Sequence, residues 1–184
     1  VPVLSILSIP TISTIIHALI VSAIIMVTAT PFFDAVAPQN WLALVGVTLL
    51  TAFTFGTLGM LIGVISSSAR SVVLLSQLIY LPSILLGGLM IPTAMMPESV
   101  QKLSGLIPST YAMQAYFGLA FEQETAFNPW LSVATLLASG FLALALSIYL
   151  FNWDSNNQTR KVSPLLALLI LVPFVVATLI DFML

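Results

Sequence analysis

The sequence predicts an all-α, polytopic transmembrane helical bundle, and two observations carry this prediction. Of the 184 residues, 60% are hydrophobic and only 5% are charged. Soluble domains carry about 25% charged residues, because their surface must meet water. The few charges also fall between long, continuous apolar runs, whereas the strands of a membrane barrel alternate apolar and polar residues.

About 20 apolar residues are needed to cross the hydrocarbon core as a helix. The spans predicted on this basis cover residues 11–30, 41–65, 71–91, 129–151 and 164–183. We interpret residues 1–184 as a single transmembrane domain of about five spans.

The cationic residues predict the orientation of the bundle. Arg70 lies in one short loop, and Arg160 with Lys161 lies in the loop 152–163. Five crossings place these loops on one side, which the positive-inside rule makes cytoplasmic. We therefore expect a multi-pass protein of the inner or plasma membrane, with its N-terminus inside. Most of the other charged residues fall on the outer side: Asp34, Glu98, Lys102, Glu122, Glu124 and Asp181.

The segment 92–128 is too long for a turn and too apolar for a free loop. Pro97 and Glu98 form a good helix start, with proline at the first position and an acid in the first turn. We expect one helix over residues 98–106 and a second over 110–121, capped by Ser109. Neither can cross a bilayer alone, so the segment predicts an outer helical hairpin, re-entrant or interfacial, packed on the other spans.

Small residues and proline mark further positions in the spans. Gly56, Gly59 and Gly63 form a small-residue face, and the last two make a G-x-x-x-G pair that lets helices approach closely. We expect this face to pack against a span of the same chain rather than at a dimer seam. Pro82 should kink the third span, because it removes one backbone hydrogen bond. Gly87 and Gly88 would then give a flexible exit to the hairpin.

The composition argues against several functional classes. The net charge of −2 and the lack of a basic stripe argue against nucleic-acid binding. The absence of cysteine removes disulfides and thiol chemistry. His17 lies inside the first span, and we expect a structural histidine bonded to a neighbouring Ser or Thr rather than a metal or proton site. No Walker A pattern occurs in these residues, so we predict a chain without its own ATPase site, catalytic residues, cofactor or metal.

The residues 81–92, 96–98 and 103–111 together resemble the C-terminal signature of ABC-2 type transporter permeases. That signature has a proline-containing span, a glycine pair, a Pro, a Met-Pro, and then a Pro and a Tyr that open the last outer helix. The resemblance implies that the first four spans match the last four of the usual six. It implies a gate or hairpin role for these residues: Pro82, Gly87, Gly88, Pro92, Pro97, Pro108 and Tyr111.

Three departures from the family pattern limit the resemblance. The family's earliest spans and its ATPase-contacting amphipathic helix would precede Val1, so we expect a fragment of a longer permease. Residues 116–118 stand where the family often has an arginine, which puts a charge-based role for that helix in doubt. The span 164–184 is extra, because the family commonly ends after the preceding one.

The resemblance also implies a function and partners. It implies a permease subunit of an ATP-driven exporter that moves a hydrophobic or amphiphilic substrate, such as a drug, lipid or glycan. A separate ATP-binding cassette subunit would hydrolyse ATP, two permeases would form a homodimer or heterodimer in the bilayer, and Arg70 would be a candidate cytoplasmic contact. The alternatives are a non-transporting membrane scaffold or assembly protein, or a secondary transporter, which is disfavoured because no carboxylate is predicted inside a span.

Overall fold

The computed structural model describes residues 3–151, 164–181 and 183. Every regular element in these ranges is helical, so the predicted all-α class is confirmed. The elements in chain order are α1 (Val3–Phe33), α2 (Trp41–Ile65), α3 (Ala69–Leu86), α4 (Glu98–Ser104), α5 (Pro108–Ala115), a π-helical turn (Tyr116–Ala120), α6 (Pro129–Leu150), a 3₁₀ segment (Pro164–Leu171) and α7 (Val172–Asp181). The predicted cytoplasmic loop with Arg160 and Lys161 lies outside the described residues.

Four helices in the described ranges are long and apolar enough to cross a membrane: α1, α2, α3 and α6. The bounds of α2 and α6 agree with the predicted spans to within one residue. Helix α1 is longer than its predicted span, because the apolar residues that precede the span also join the helix. The polytopic helical bundle is thus confirmed.

Helix α3 ends five residues earlier than predicted. Ser68 caps its start, where the hydroxyl accepts a hydrogen bond from the Ser71 N–H at 3.2 Å. Gly87 caps its end, and Gly88 then adopts a φ of +82°, which turns the chain out of the helix. The predicted extension to Ile91 is wrong, because this left-handed glycine stops the helix before the apolar run ends.

Close packing of α2 against α6 forms the centre of the bundle. A Cβ on Gly140 of α6 would lie 2.7 Å from the Phe53 ring, so only glycine allows this approach. The Thr54 hydroxyl of α2 donates to the Leu136 carbonyl of α6 at 3.0 Å. Small residues of α6 line the contact at positions typical of membrane helix packing: Ser132, Ser139, Gly140, Ala143 and Ser147.

The fifth predicted span is divided into the 3₁₀ segment and α7. Its Ala167 packs near Leu146 at one end of α6, whereas Asp181 accepts a hydrogen bond from the Asn128 N–H at the other end. The segment therefore runs antiparallel to α6. Eight 3₁₀ residues span about 16 Å and ten α-helical residues about 15 Å, close to the hydrocarbon thickness of about 30 Å. The crossing itself stays a prediction.

Several connections that the sequence assigns to one side meet at the same end of the bundle. The backbone N–H groups of Gln39 and Asn40 donate to the Ala120 carbonyl at 2.9 and 3.1 Å. The Asn128–Asp181 bond lies at this end as well. We call it the hairpin end, and it is defined by the loop 34–40, the segment 92–128 and Asp181.

Candidate functional site: the hairpin and the cavity below it

Helices α4 and α5 form the predicted hairpin with small shifts in their bounds. Pro97 occupies the N-cap of α4, whereas the sequence predicted it at the first helical position. Lys102 pairs with Glu98 one turn earlier at 2.7 Å, and this ion pair lowers the pKa of the Glu98 carboxyl. Both side chains are exposed, so the pair adds little stability.

Helix α5 begins at Pro108, because proline has the backbone angle of a first helical turn and needs no hydrogen-bond partner there. The predicted Ser109 cap is wrong. Ile107 occupies the N-cap position, and the Ser109 hydroxyl is buried inside the first turn without a hydrogen-bond partner among the described residues.

The interior of the hairpin is polar and hydrogen-bonded. The Gln114 side chain is 2% exposed, and its amide donates to the Thr93 hydroxyl. Its carbonyl oxygen accepts from the N–H groups of Ala126 at 3.0 Å and Phe127 at 3.4 Å. One glutamine thereby connects α5 to both flanking loops. A bonded glutamine within a helical pattern gives no distinct signal, so sequence reasoning missed it.

Tyr111 connects the hairpin to α7 through hydrogen bonds. Its side chain is fully buried, and the hydroxyl lies 3.2 Å from the Phe174 carbonyl and 3.0 Å from the Thr178 hydroxyl. Burial raises the pKa of Tyr111 to about 12, so the phenol stays neutral. Gly105 completes the contact, because a Cβ there would lie 2.5 Å from the Thr178 hydroxyl oxygen. The predicted hairpin residue Tyr111 is therefore an anchor to the C-terminal segment.

The two glycines that follow α3 have a different structural role from the flexible connection to the hairpin that the sequence predicted. Gly87 and Gly88 are both buried. A Cβ on Gly87 would lie 1.9 Å from the Ser109 hydroxyl oxygen, so α5 rests directly on this backbone. Close approach at Gly87 and the positive φ of Gly88 explain why glycine stands at each position.

The other predicted positions are spread over the molecule. Pro82 lies inside α3, and the helix continues through it. Pro92 and Pro97 are exposed beside the hairpin. Arg70 is exposed in the first turn of α3, far along the helix from Gly87.

The predicted packing of the glycine face of α2 within the chain is wrong for two of its three members. A Cβ on Gly59 or Gly63 would meet no atom within 4 Å. The contacts between α2 and α6 use other residues of α2, such as Thr54 and Leu58, and leave these two glycines open.

Below the hairpin, α2 and α3 diverge and leave a cavity of about 330 Å³, which we call the α2–α3 cavity. Ser109, Ala112, Met113 and Tyr116 of the hairpin form its roof. The Tyr116 hydroxyl donates to the Thr48 hydroxyl at 2.9 Å, and this hydrogen bond connects the roof to α2. Burial raises the pKa of Tyr116, so this phenol is neutral as well. The cavity has the size of a small-molecule site.

The comparison with protein families identifies one match. The family described as ABC-2 type transporter matches residues 1–121, about two thirds of the chain. The match includes α1 to α3, the hairpin helices α4 and α5, and the π-helical turn. No curated protein and no solved structure matches. The chain belongs to the ABC-2 type transporter family and is a multi-pass membrane permease domain of an ABC-type transporter.

Proposed function

We propose that the chain is the permease subunit of an ATP-driven exporter that moves a hydrophobic or amphiphilic substrate. The roofed α2–α3 cavity carries this proposal, because an apolar pocket between spans can accept such a molecule from the membrane. Hydrogen bonds attach the hairpin to α2 and α7, so movement of these helices would also move the roof.

The energy source in this proposal is ATP hydrolysed by a separate ATP-binding cassette subunit. Arg70 is the candidate contact on the predicted cytoplasmic side, because it is exposed. A cation in the first turn of a helix opposes the helix dipole by about 0.3–1 kcal/mol, which an acidic partner surface would offset. Two permease copies, identical or different, would complete the transporter in the inner or plasma membrane.

Reconstitution in proteoliposomes tests the proposal. The full-length protein is combined with a candidate ATPase subunit, and ATP hydrolysis is measured together with movement of a fluorescent lipid between leaflets. We expect both activities to need the permease. Pro92→Ala and Pro108→Ala should lower them by about tenfold, equivalent to about 1.4 kcal/mol in a barrier, because both prolines set the hairpin's backbone.

Pro31→Ala is the matched control, since Pro31 is exposed near the end of α1, outside the hairpin. This variant should keep wild-type activity. If ATP hydrolysis is the same with and without the permease and no lipid moves between leaflets, the result would favour the scaffold alternative and overturn the proposal.

A further inference from the structure

We propose that the α2–α3 cavity binds uncharged, mainly apolar molecules that carry a hydroxyl or carbonyl group. The inference rests on the proposed exporter function and narrows its substrate class. It starts from the lining of the cavity, where none of the described residues carries a charged side chain. The polar lining consists of hydroxyl groups alone: Thr51, Ser76, Tyr80, Ser83, Ser109 and Tyr116.

The charge of the ligand follows from this lining. A buried ion without a partner charge costs far more than a buried neutral group. The described residues that line the cavity offer no such partner, and apart from their hydroxyl groups they are apolar. Charged amphiphiles are therefore disfavoured, whereas a neutral molecule meets apolar walls and uncharged hydrogen-bonding groups.

The polar group of the ligand follows from one unsatisfied hydroxyl. Ser109 is 4% exposed, and its hydroxyl oxygen has no hydrogen-bond partner among the described residues. Native structures leave few such groups, because each costs stability. Ser109 lines the cavity, and a ligand hydroxyl or carbonyl would supply its partner after a rotamer change.

The position of the cavity suits a ligand taken from the bilayer. Thr51 lies ten residues into α2, or about 15 Å from its start, near the middle of the hydrocarbon core. From the hairpin roof near Thr51, the cavity extends along α2 to Ile62. An apolar chain would lie along α2, with its polar group near Ser109 and Thr51.

Other cavities do not support a comparable inference. The groove of about 400 Å³ between α2 and α6 at the hairpin end involves Asn40 and Trp130. Asn40 already accepts a hydrogen bond from the Ala43 N–H, and the unsatisfied Ser109 hydroxyl does not line this groove. The shallow groove beside His17 is formed by α1 alone.

Two glycines of α2 provide a matched pair of variants. Gly59 lines the cavity, and Gly63, one turn further, does not. Both glycines are exposed, and a Cβ at either position meets no atom within 4 Å, so we expect Gly59→Leu and Gly63→Leu to be tolerated. Only Gly59→Leu fills cavity space. Ser109→Ala removes an unsatisfied hydroxyl and should fold at least as well as the wild type.

The test is photolabelling of the full-length protein in phosphatidylcholine nanodiscs, without ATP or an ATPase subunit. The probe is dodecanol with a photoreactive diazirine in its chain, and the corresponding alkyl sulfate and alkyltrimethylammonium compounds are the charged probes. We expect the alcohol to label peptides of α2 and α3. Gly59→Leu should reduce labelling about tenfold and Ser109→Ala about three- to tenfold, whereas Gly63→Leu should not change it.

Equal labelling by the charged probes would overturn the ligand class, and unchanged labelling of Gly59→Leu would overturn the site. Thermal unfolding of each variant shows whether a loss of labelling reflects a loss of fold. If Gly59→Leu is unfolded, the labelling of Ser109→Ala tests the site in its place. Because the test needs no ATP, its failure leaves the exporter proposal standing. Labelling without ATP-dependent transport would overturn the exporter proposal instead.

Discussion

Gly105 is the residue at which the hairpin and α7 come closest. It has ordinary right-handed helical angles, so its need for glycine is steric rather than conformational. An added Cβ would meet three atoms of Thr178 within 3.2 Å, including the Thr178 Cβ, which cannot swing away. The same threonine hydroxyl contacts Tyr111, so a shift there also disturbs the anchor.

Gly105→Ala should therefore destabilise the protein by about 1–3 kcal/mol through overpacking. Gly46→Ala is the matched control, because a Cβ at Gly46 meets nothing within 4 Å and alanine favours a helix by about 1 kcal/mol. Thermal unfolding in detergent measures both. A Gly105→Ala protein with a melting temperature at or above that of the wild type would show that α7 is not closely packed against the hairpin.

Residue types alone could not show which glycines are tightly packed. The G-x-x-x-G pair of α2 is a recognised packing pattern, yet Gly59 and Gly63 face open space. Gly140 makes the close helix contact instead. A signal for it was present, because Ser139, Ala143 and Ser147 repeat small residues every fourth position along α6.

Among the elements, the hairpin owes more of its stability to the hydrogen bonds of Gln114 than to its helix caps. Loss of this side chain would remove the acceptor of the Ala126 N–H group and the donor to the buried Thr93 hydroxyl. Gln114→Leu should cost about 1–3 kcal/mol, because a buried polar group without a partner carries its full desolvation cost. It should also speed limited proteolysis of the loop 122–128.

Gln77→Leu provides the control for that variant, since Gln77 is exposed on α3. It should leave both the melting temperature and the cleavage rate near wild-type values. Wild-type cleavage of Gln114→Leu would mean that other contacts hold the loop to α5.

The helices themselves were largely predictable from hydropathy and proline positions. Helix α2 has its predicted bounds, and the hairpin helices lie within a few residues of theirs. The errors arose where apolar composition continues past a conformational break. The turn at Gly88 ends α3 inside an apolar run, and the 3₁₀ geometry of residues 164–171 lengthens the last segment without a change in residue type.

For the whole molecule, long-range contacts support the predicted grouping of connections. Loop 34–40, the hairpin and Asp181 meet at one end through backbone and carboxylate hydrogen bonds. The family match agrees with the resemblance found in the residues 81–111, and it extends back to residue 1. The cavity and its unsatisfied Ser109 hydroxyl were not predictable, because they depend on how far α2 and α3 diverge and on how the hairpin packs over them.

The central prediction is that the hairpin formed by residues 92–128 stays on the outer side, opposite Arg70. The sequence contains no cysteine, so single cysteines can be placed without background. Lys102→Cys and Arg70→Cys both alter exposed positions. With a membrane-impermeant maleimide, we predict labelling of Lys102→Cys in intact cells and of Arg70→Cys only after permeabilisation. Labelling of both variants in intact cells, or of Arg70→Cys alone, would contradict the account.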